Sequence, residues 1–308
     1  MNKRAWIALT LLALAPIWTQ GCRSSGANHP PAPIARGPVP AYATVAAAYN
    51  ARVTNLDRLA CPVSVVVHTK NEQGNPLREQ VEGNLQLALP SNVALRLDKV
   101  GQTVFYLGSN ATKYWWFDLT DQKTALVGAH DKATPQAVEN FGIPVHPLDL
   151  LECLAISPIP AAGAEQATHA KLEWSKDGHN LILTLPGRWQ GHRRFFLDPA
   201  TYDPSRVELL DKAGALQVAA NLSRYNTVEV AGNTRVHPRI AGRFDVEIPA
   251  QQATAEIGLV RPTNPGPAQK PKLFDLDFLL TYYRIQKTVD VDQPRANAAQ
   301  QAEGIPAK

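Results

Sequence analysis

The sequence predicts a mainly β protein, an antiparallel meander of about a dozen short strands accompanied by about three helices. Three features of the 308-residue chain carry that prediction. Apolar and polar residues alternate with period two through most of the middle, which turns one face of each strand toward a core. Turn pairs such as Gly74-Asn75, Pro90-Ser91, Gly101-Gln102 and Asp177-Gly178 separate the runs. Helical spacing, by contrast, appears in only three places. One folded unit is expected over residues 42–287, and an apolar content of 44% is enough to give it a core.

The N-terminus has a different character. "MNKR" supplies positive charge, and "AWIALTLLALAPIW" is an apolar run of about 14 residues, short for a bilayer span and the right length for a signal-peptide core. Residues 1–21 therefore read as a signal peptide. The Gly21-Cys22 pair that follows resembles a bacterial lipobox, although Thr19 stands where leucine is usual. That resemblance implies lipidation of Cys22. With Arg23 in place of an aspartate next to it, it also implies sorting to the periplasmic face of the outer membrane. Residues 22–41 are rich in Pro, Gly and Ser and read as a flexible tether, and residues 288–308 as a flexible tail. In an oxidising periplasm, Cys61 and Cys153 fit either a disulfide or two buried free thiols.

Within the folded unit, Tyr42, Val45, Tyr49, Val53, Leu56 and Ala60 form a helical stripe that Pro62 ends. The strand "VSVVVHT" follows. In "EQVEGNLQLALP", Val81, Leu85, Leu87 and Leu89 share a face against Glu82, Asn84 and Gln86. In "NVALRLD", Val93, Leu95 and Leu97 oppose Arg96 and Asp98. After "QTVFYLG" comes "KYWWFDL", which is apolar on both faces. Trp115 and Phe117 point one way and are assigned to the leucine rows, while Tyr114 and Trp116 point the other way; alternation fixes the pairs but not which pair faces inward, so the inverse assignment stays open. "KTALVG" ends this first run of strands.

Thr134-Pro135 starts a short helix, and Pro147 starts another whose Leu148, Leu151, Leu154 and Ala155 make a stripe. The hairpin turned at Asp177-Gly178 sets Leu172 and Trp174 beside Leu181, Leu183 and Leu185. Further strands follow in "HRRFFLDP", "PSRVELLDKAGALQVAANLSRY", "TRVHPRIAGRFDVEIP" and "TAEIGLVRPT". A last strand, "FDLDFLL", is expected to turn Phe274, Leu276 and Phe278 inward and Asp275 and Asp277 to water.

Reactive chemistry is scarce. There is no Gly-x-Ser-x-Gly elbow, phosphate loop, His-Glu-x-x-His or Cys-x-x-Cys, and the eight histidines form no metal-spaced pair. No catalytic residue, metal or cofactor is expected, and the protein reads as a non-enzyme. A net charge of +4 without a basic, aromatic-interleaved patch argues against nucleic acid. His146, just before Pro147, reads as a loop or capping residue. Arg188, His192, Arg193 and Arg194 read as a solvated loop, with anionic headgroups or an acidic partner as the alternative.

The order of elements resembles the LolA/LolB family of lipoprotein carriers and receptors over about residues 44–285. The resemblance rests on Leu89-Pro90, the aromatic strand Trp115 to Asp118, Leu197-Asp198-Pro199, Pro204, Arg206, Asp211 and Gly214. It implies a curved, unclosed antiparallel half-barrel capped by helices, with a hydrophobic groove for acyl chains of lipids or lipoproteins. The groove would be lined by Val81, Leu85, Leu87, Leu89, Val93, Leu95, Leu97, Trp115, Phe117, Leu172, Trp174, Leu181, Leu183 and Leu185. Lipidation at Cys22 makes the chain more similar to the receptor. It departs from the receptor in the turn Lys99 to Gln102, whose only apolar residue is Val100 and where the family has an exposed leucine. An alternative on the same scaffold is an RseB-like periplasmic sensor that binds a protein partner in the membrane.

Overall fold

A computed structural model describes residues 36–70, 73–140, 146–232 and 235–293. The expected signal peptide, Cys22 and most of the tether and tail lie outside the described residues.

The first meander comprises β1 (Arg58–Lys70), β2 (Pro76–Ala88), β3 (Asn92–Lys99), β4 (Gln102–Ser109), β5 (Lys113–Asp118) and β6 (Thr124–Ala129), preceded by helix α1 (Tyr42–Arg52). Helices α2 (Pro135–Asn140) and α3 (Pro147–Cys153) follow. The second meander runs through β7 (Lys171–Trp174), β8 (Leu181–Pro186), β9 (His192–Leu197), β10 (Pro204–Leu210), β11 (Leu216–Thr227), β12 (Glu229–Val230), β13 (Arg239–Ile248) and β14 (Ala253–Leu259). The short β15 (Thr263–Asn264), helix α4 (Leu276–Tyr283) and β16 (Lys287–Asp290) complete the order.

All sixteen strands belong to one sheet. Its main path runs β16-β6-β5-β4-β3-β2-β1-β14-β13-β11-β10-β9-β8-β7, and its two ends do not pair, so the sheet is unclosed. The two meanders join through antiparallel β1 and β14, where Val65 lies opposite Ile257. Among the described residues, only β16–β6 and β12–β15 run parallel.

Local chemistry explains most boundaries. The expected α1 stripe is buried through Val45, Tyr49, Val53 and Leu56. The helix itself ends at Arg52, however, because Asn55 takes a positive φ of 67° and the chain turns into β1 before Pro62. Asp275 caps α4 by accepting from the Phe278 amide, at 3.1 Å. "FDLDFLL" is therefore a helix and not a strand: Leu276 and Leu279, three apart, are buried, and Phe278 is exposed. The expected tail also begins later than residue 288. Lys287–Asp290 pairs with β6, Val291 is buried, and the Ala129 amide donates to the Asp292 carboxylate at 2.9 Å. At the other end, Arg36 donates to the Gly178 carbonyl at 2.6 Å, and the Trp174 indole donates to the Gly37 carbonyl at 3.0 Å.

The β3–β4 hairpin is closed by Val100 and Gly101, with φ of 51° and 77°. Two positive φ values make this a two-residue turn of the primed type, which suits Asn-Gly and strains a β-branched residue. Val100 is 98% exposed and gains no packing in return. Val100→Asn is expected to stabilise the fold by about 1 kcal/mol, seen as a melting temperature raised by about 2 °C. An unchanged or lowered midpoint would count against strain at this turn.

Candidate ligand-binding face

Cross-strand register shows which side chains share a face. Leu85 lies opposite Leu95 and Leu87 opposite Val93 between β2 and β3. Leu95 lies opposite Leu107, and Leu97 opposite Phe105, between β3 and β4. Leu107 lies opposite Trp116, and Ser109 opposite Tyr114. Directly opposed residues project from the same side of a sheet, so the leucine rows continue into Trp116 and Tyr114. The same face holds Leu89 and Val81, and on the second meander Leu172, Trp174, Leu181, Leu183 and Leu185, with Phe195 opposite Leu183. Twelve of the fourteen residues expected to line a groove thus lie on one inner face.

Trp115 and Phe117 do not. They occupy a second, outer cluster with Ala94, Tyr106, Ala125, Phe274, Leu276 and Leu279. Helix α4 covers them: Phe117 stacks on Tyr106 at 5.8 Å and meets Tyr283 edge-on at 6.1 Å, and the Tyr106 hydroxyl donates to the Leu273 carbonyl at 2.7 Å. The two rings are core. Trp115 lies over Gly108, its register partner, where a Cβ would stand 2.2 Å from the indole nitrogen. Tyr114 lies over Gly128 in the same way, at 2.4 Å.

The inner face is largely filled. Val45 and Tyr49 of α1, Leu151 and Cys153 of α3, and Leu154 to Ile156 beyond it pack on it, leaving Leu87, Leu181, Leu183 and Leu185 fully buried. The expected open groove is therefore narrower than the leucine rows suggest. An apolar rim remains partly exposed, formed by Val67, Leu95, Leu97, Phe105, Leu209 and Ile257. Two surface concavities stand out among the described residues, one beside Asn110, Lys113 and the start of α4, the other between His68, Leu77 and Gln252. Neither is lined by the leucine rows.

A polar cluster is enclosed at one end of this face. His146 caps α3 as expected, its Nδ1 accepting from the Leu148 amide at 3.1 Å and also from Arg188. Its ring packs 4.5 Å from Tyr114, 5.4 Å from His130 and 5.9 Å from Trp189. Arg188 pairs with Asp149 at 3.3 Å, and Arg193 pairs with Glu152. These arginines face the acidic side of α3 and are not a solvated loop, a tertiary pairing that local sequence could not show. Cys61 and Cys153 are buried free thiols, and burial pushes the Cys61 thiol up to about 12. No three His, Cys, Asp or Glu side chains among the described residues form a metal-ligating group.

No protein family matches this chain, and no curated protein matches it. Solved structures similar to it include a LolA superfamily protein from Nitrosomonas europaea, at 11% identity and TM-score 0.47, covering 76% of this chain and 97% of that one. A domain named for outer-membrane lipoprotein sorting, from Vibrio parahaemolyticus, is similar at 12% identity and TM-score 0.45, covering 76% and 97%. A DUF1329 family protein from Desulfovibrio piger is similar at 12% identity and TM-score 0.47, covering 76% and 98%.

Burial, with Arg188 and His130 adding to it, holds the His146 pKa far below the imidazole range. Burial raises Asp149 from 3.8 to about 6 against the pull of Arg188. On acidification below 6.5 the unfolded chain gains a proton at His146 that the folded protein refuses, so stability falls. Between about 6 and 3.8 the folded protein instead gains a proton first at Asp149, so stability rises. The two effects oppose each other in that window, and His130, also lowered by burial, adds to the histidine side. Asp149→Asn is expected to unmask the histidine effect, steepening the loss of stability from pH 6 to pH 4 by about 1.4 kcal/mol per pH unit. Denaturant melts across that range check this, and an unchanged slope would contradict it.

Proposed function

We propose that the protein is a non-enzymatic binder of lipid or lipoprotein acyl chains, held at the periplasmic face of the outer membrane by lipidated Cys22. The observation that carries this reading is the inner face: one apolar surface shared by both meanders, capped by short helices, with a partly exposed rim at Leu95, Leu97 and Phe105. An acyl chain gains about 0.8 kcal/mol per buried methylene, so such a rim holds a chain without a reacting group. A second reading, an RseB-like sensor that docks a membrane partner, is supported by the exposed pair Phe278 and Tyr282 on α4, stacked at 5.7 Å.

Binding of the neutral fluorophore N-phenyl-1-naphthylamine to the delipidated protein tests the first reading, alongside mass spectrometry of the lipid that copurifies. Leu97→Asp and Phe105→Asp are expected to weaken probe binding about tenfold or more, consistent with a charge set into an apolar contact. Phe278→Ser, on the outer side, is expected to leave it unchanged. Loss of binding in the outer variant alone, or no saturable binding at all, would refute the acyl-chain reading.

A further inference from the structure

We propose that the ring cluster of Tyr114, Trp116 and His146 receives the carbonyl oxygen of a neutral acyl ester, so that the ligand is an esterified chain and not a free fatty acid. This rests on the acyl-chain reading and adds to it the polar end of the ligand. His146 Nδ1 accepts from two N–H donors, the Leu148 amide and Arg188, so the ring proton sits on Nε2. That Nε2–H is buried with no hydrogen-bond partner among the described residues, as are the Tyr114 hydroxyl and the Trp116 indole N–H. The three residues are 1%, 0% and 4% exposed, so water at the surface does not reach these groups. Their rings touch: Tyr114 to His146 at 4.5 Å, Tyr114 to Trp116 at 5.4 Å, and Trp116 to His146 at 6.4 Å. Burial raises the Tyr114 pKa to about 12, which keeps its hydroxyl a donor at neutral pH.

Three unpartnered donors call for an oxygen acceptor. A carboxylate fits the surroundings poorly. Arg188 is already paired with Asp149 and Arg193 with Glu152, and the unpartnered acceptors His130 Nδ1 and Asp292 Oδ1 belong to the same neighbourhood. His130 donates through Nε2 to the Asn110 carbonyl at 2.9 Å, which leaves its Nδ1 to accept. A neutral ester carbonyl satisfies donors without setting a second negative charge among these carboxylates, and a glyceryl hydroxyl beside it satisfies an acceptor. The cluster is continuous with the apolar rim, because Trp116 lies opposite Leu107 and Leu107 opposite the partly exposed Leu95.

The test measures affinities of the delipidated full chain for monoolein, oleate and 1-octadecene, in wild type and in Tyr114→Phe and Trp116→Phe. Monoolein is expected to bind more tightly than oleate. Tyr114→Phe is expected to weaken monoolein about fivefold, the effect of one lost hydrogen bond, and to leave 1-octadecene unchanged. The infrared carbonyl stretch of bound, carboxyl-13C-labelled monoolein should move back toward its hydrocarbon value in the same variant. Equal losses for monoolein and 1-octadecene would mean a merely structural role and overturn the proposal. So would tighter binding of oleate, or variants that change nothing because the cluster holds only water. If 1-octadecene binds and the ester shows no advantage, only the ester site fails. If none of the three binds, the acyl-chain reading fails with it.

Discussion

The connection from Ala129 to Lys171 has to join β6 and β7, which lie near opposite ends of one unclosed sheet. An ordinary hairpin cannot span that separation, and the described stretch of the link from Leu151 to Ile159 packs on the inner face. Much else follows from this packing. Leu151, Cys153, Leu154 and Ile156 are laid over the leucine rows, and α1 fills the space beside them. Asp149 and Glu152 of α3 are brought against Arg188 and Arg193, and His146 is enclosed among aromatic rings at the start of the same helix. The apolar rim is what this packing leaves uncovered.

The same constraint accounts for a strand that is apolar on both sides. β5 carries Tyr114 and Trp116 toward the α3 segment and Trp115 and Phe117 toward α4. Water reaches neither face, so both are built from large aromatic rings, and the Tyr114 hydroxyl and the Trp115 and Trp116 indole N–H groups are left without a partner among the described residues. Glycines on the flanking strands accommodate the large rings: Gly108 beneath Trp115 and Gly128 beneath Tyr114. The aromatic run is therefore built into two clusters at once, and only its inner half shares the face proposed to bind a ligand.

Most strands and their inward rows were legible in the sequence because alternation is local. Leu85 and Leu87, Val93 and Leu95, and Leu181 and Leu183 needed nothing but their neighbours. The hairpin turns at Gly101 and Gly178, each with positive φ, were legible for the same reason. What alternation lacks is phase between strands. The turn through Asn110 and Thr112 sets how β5 registers on β4, and counting within "KYWWFDL" cannot reveal it, so Trp115 and Phe117 were placed on the wrong side. α4 was misread because "FDLDF" alternates over five residues, while its cap, the Asp275 carboxylate on the Phe278 amide, is the signal that decides for helix. The ion pairs of Arg188 and Arg193 join residues about 40 apart in sequence, the ring cluster around His146 draws on Tyr114, His130 and Trp189, and no local pattern announces either.

The measurement that bears most directly on the account is photocrosslinking with an acyl chain carrying a diazirine midway along its length, read by peptide mass spectrometry. Labelling of Leu95, Leu97, Phe105, Val67, Leu209 or Ile257 is the expected result, since these partly exposed residues form the apolar rim of the inner face. Labelling confined to the outer surface around Phe278 and Tyr282, or spread evenly over the protein, would contradict a binding role for the inner face.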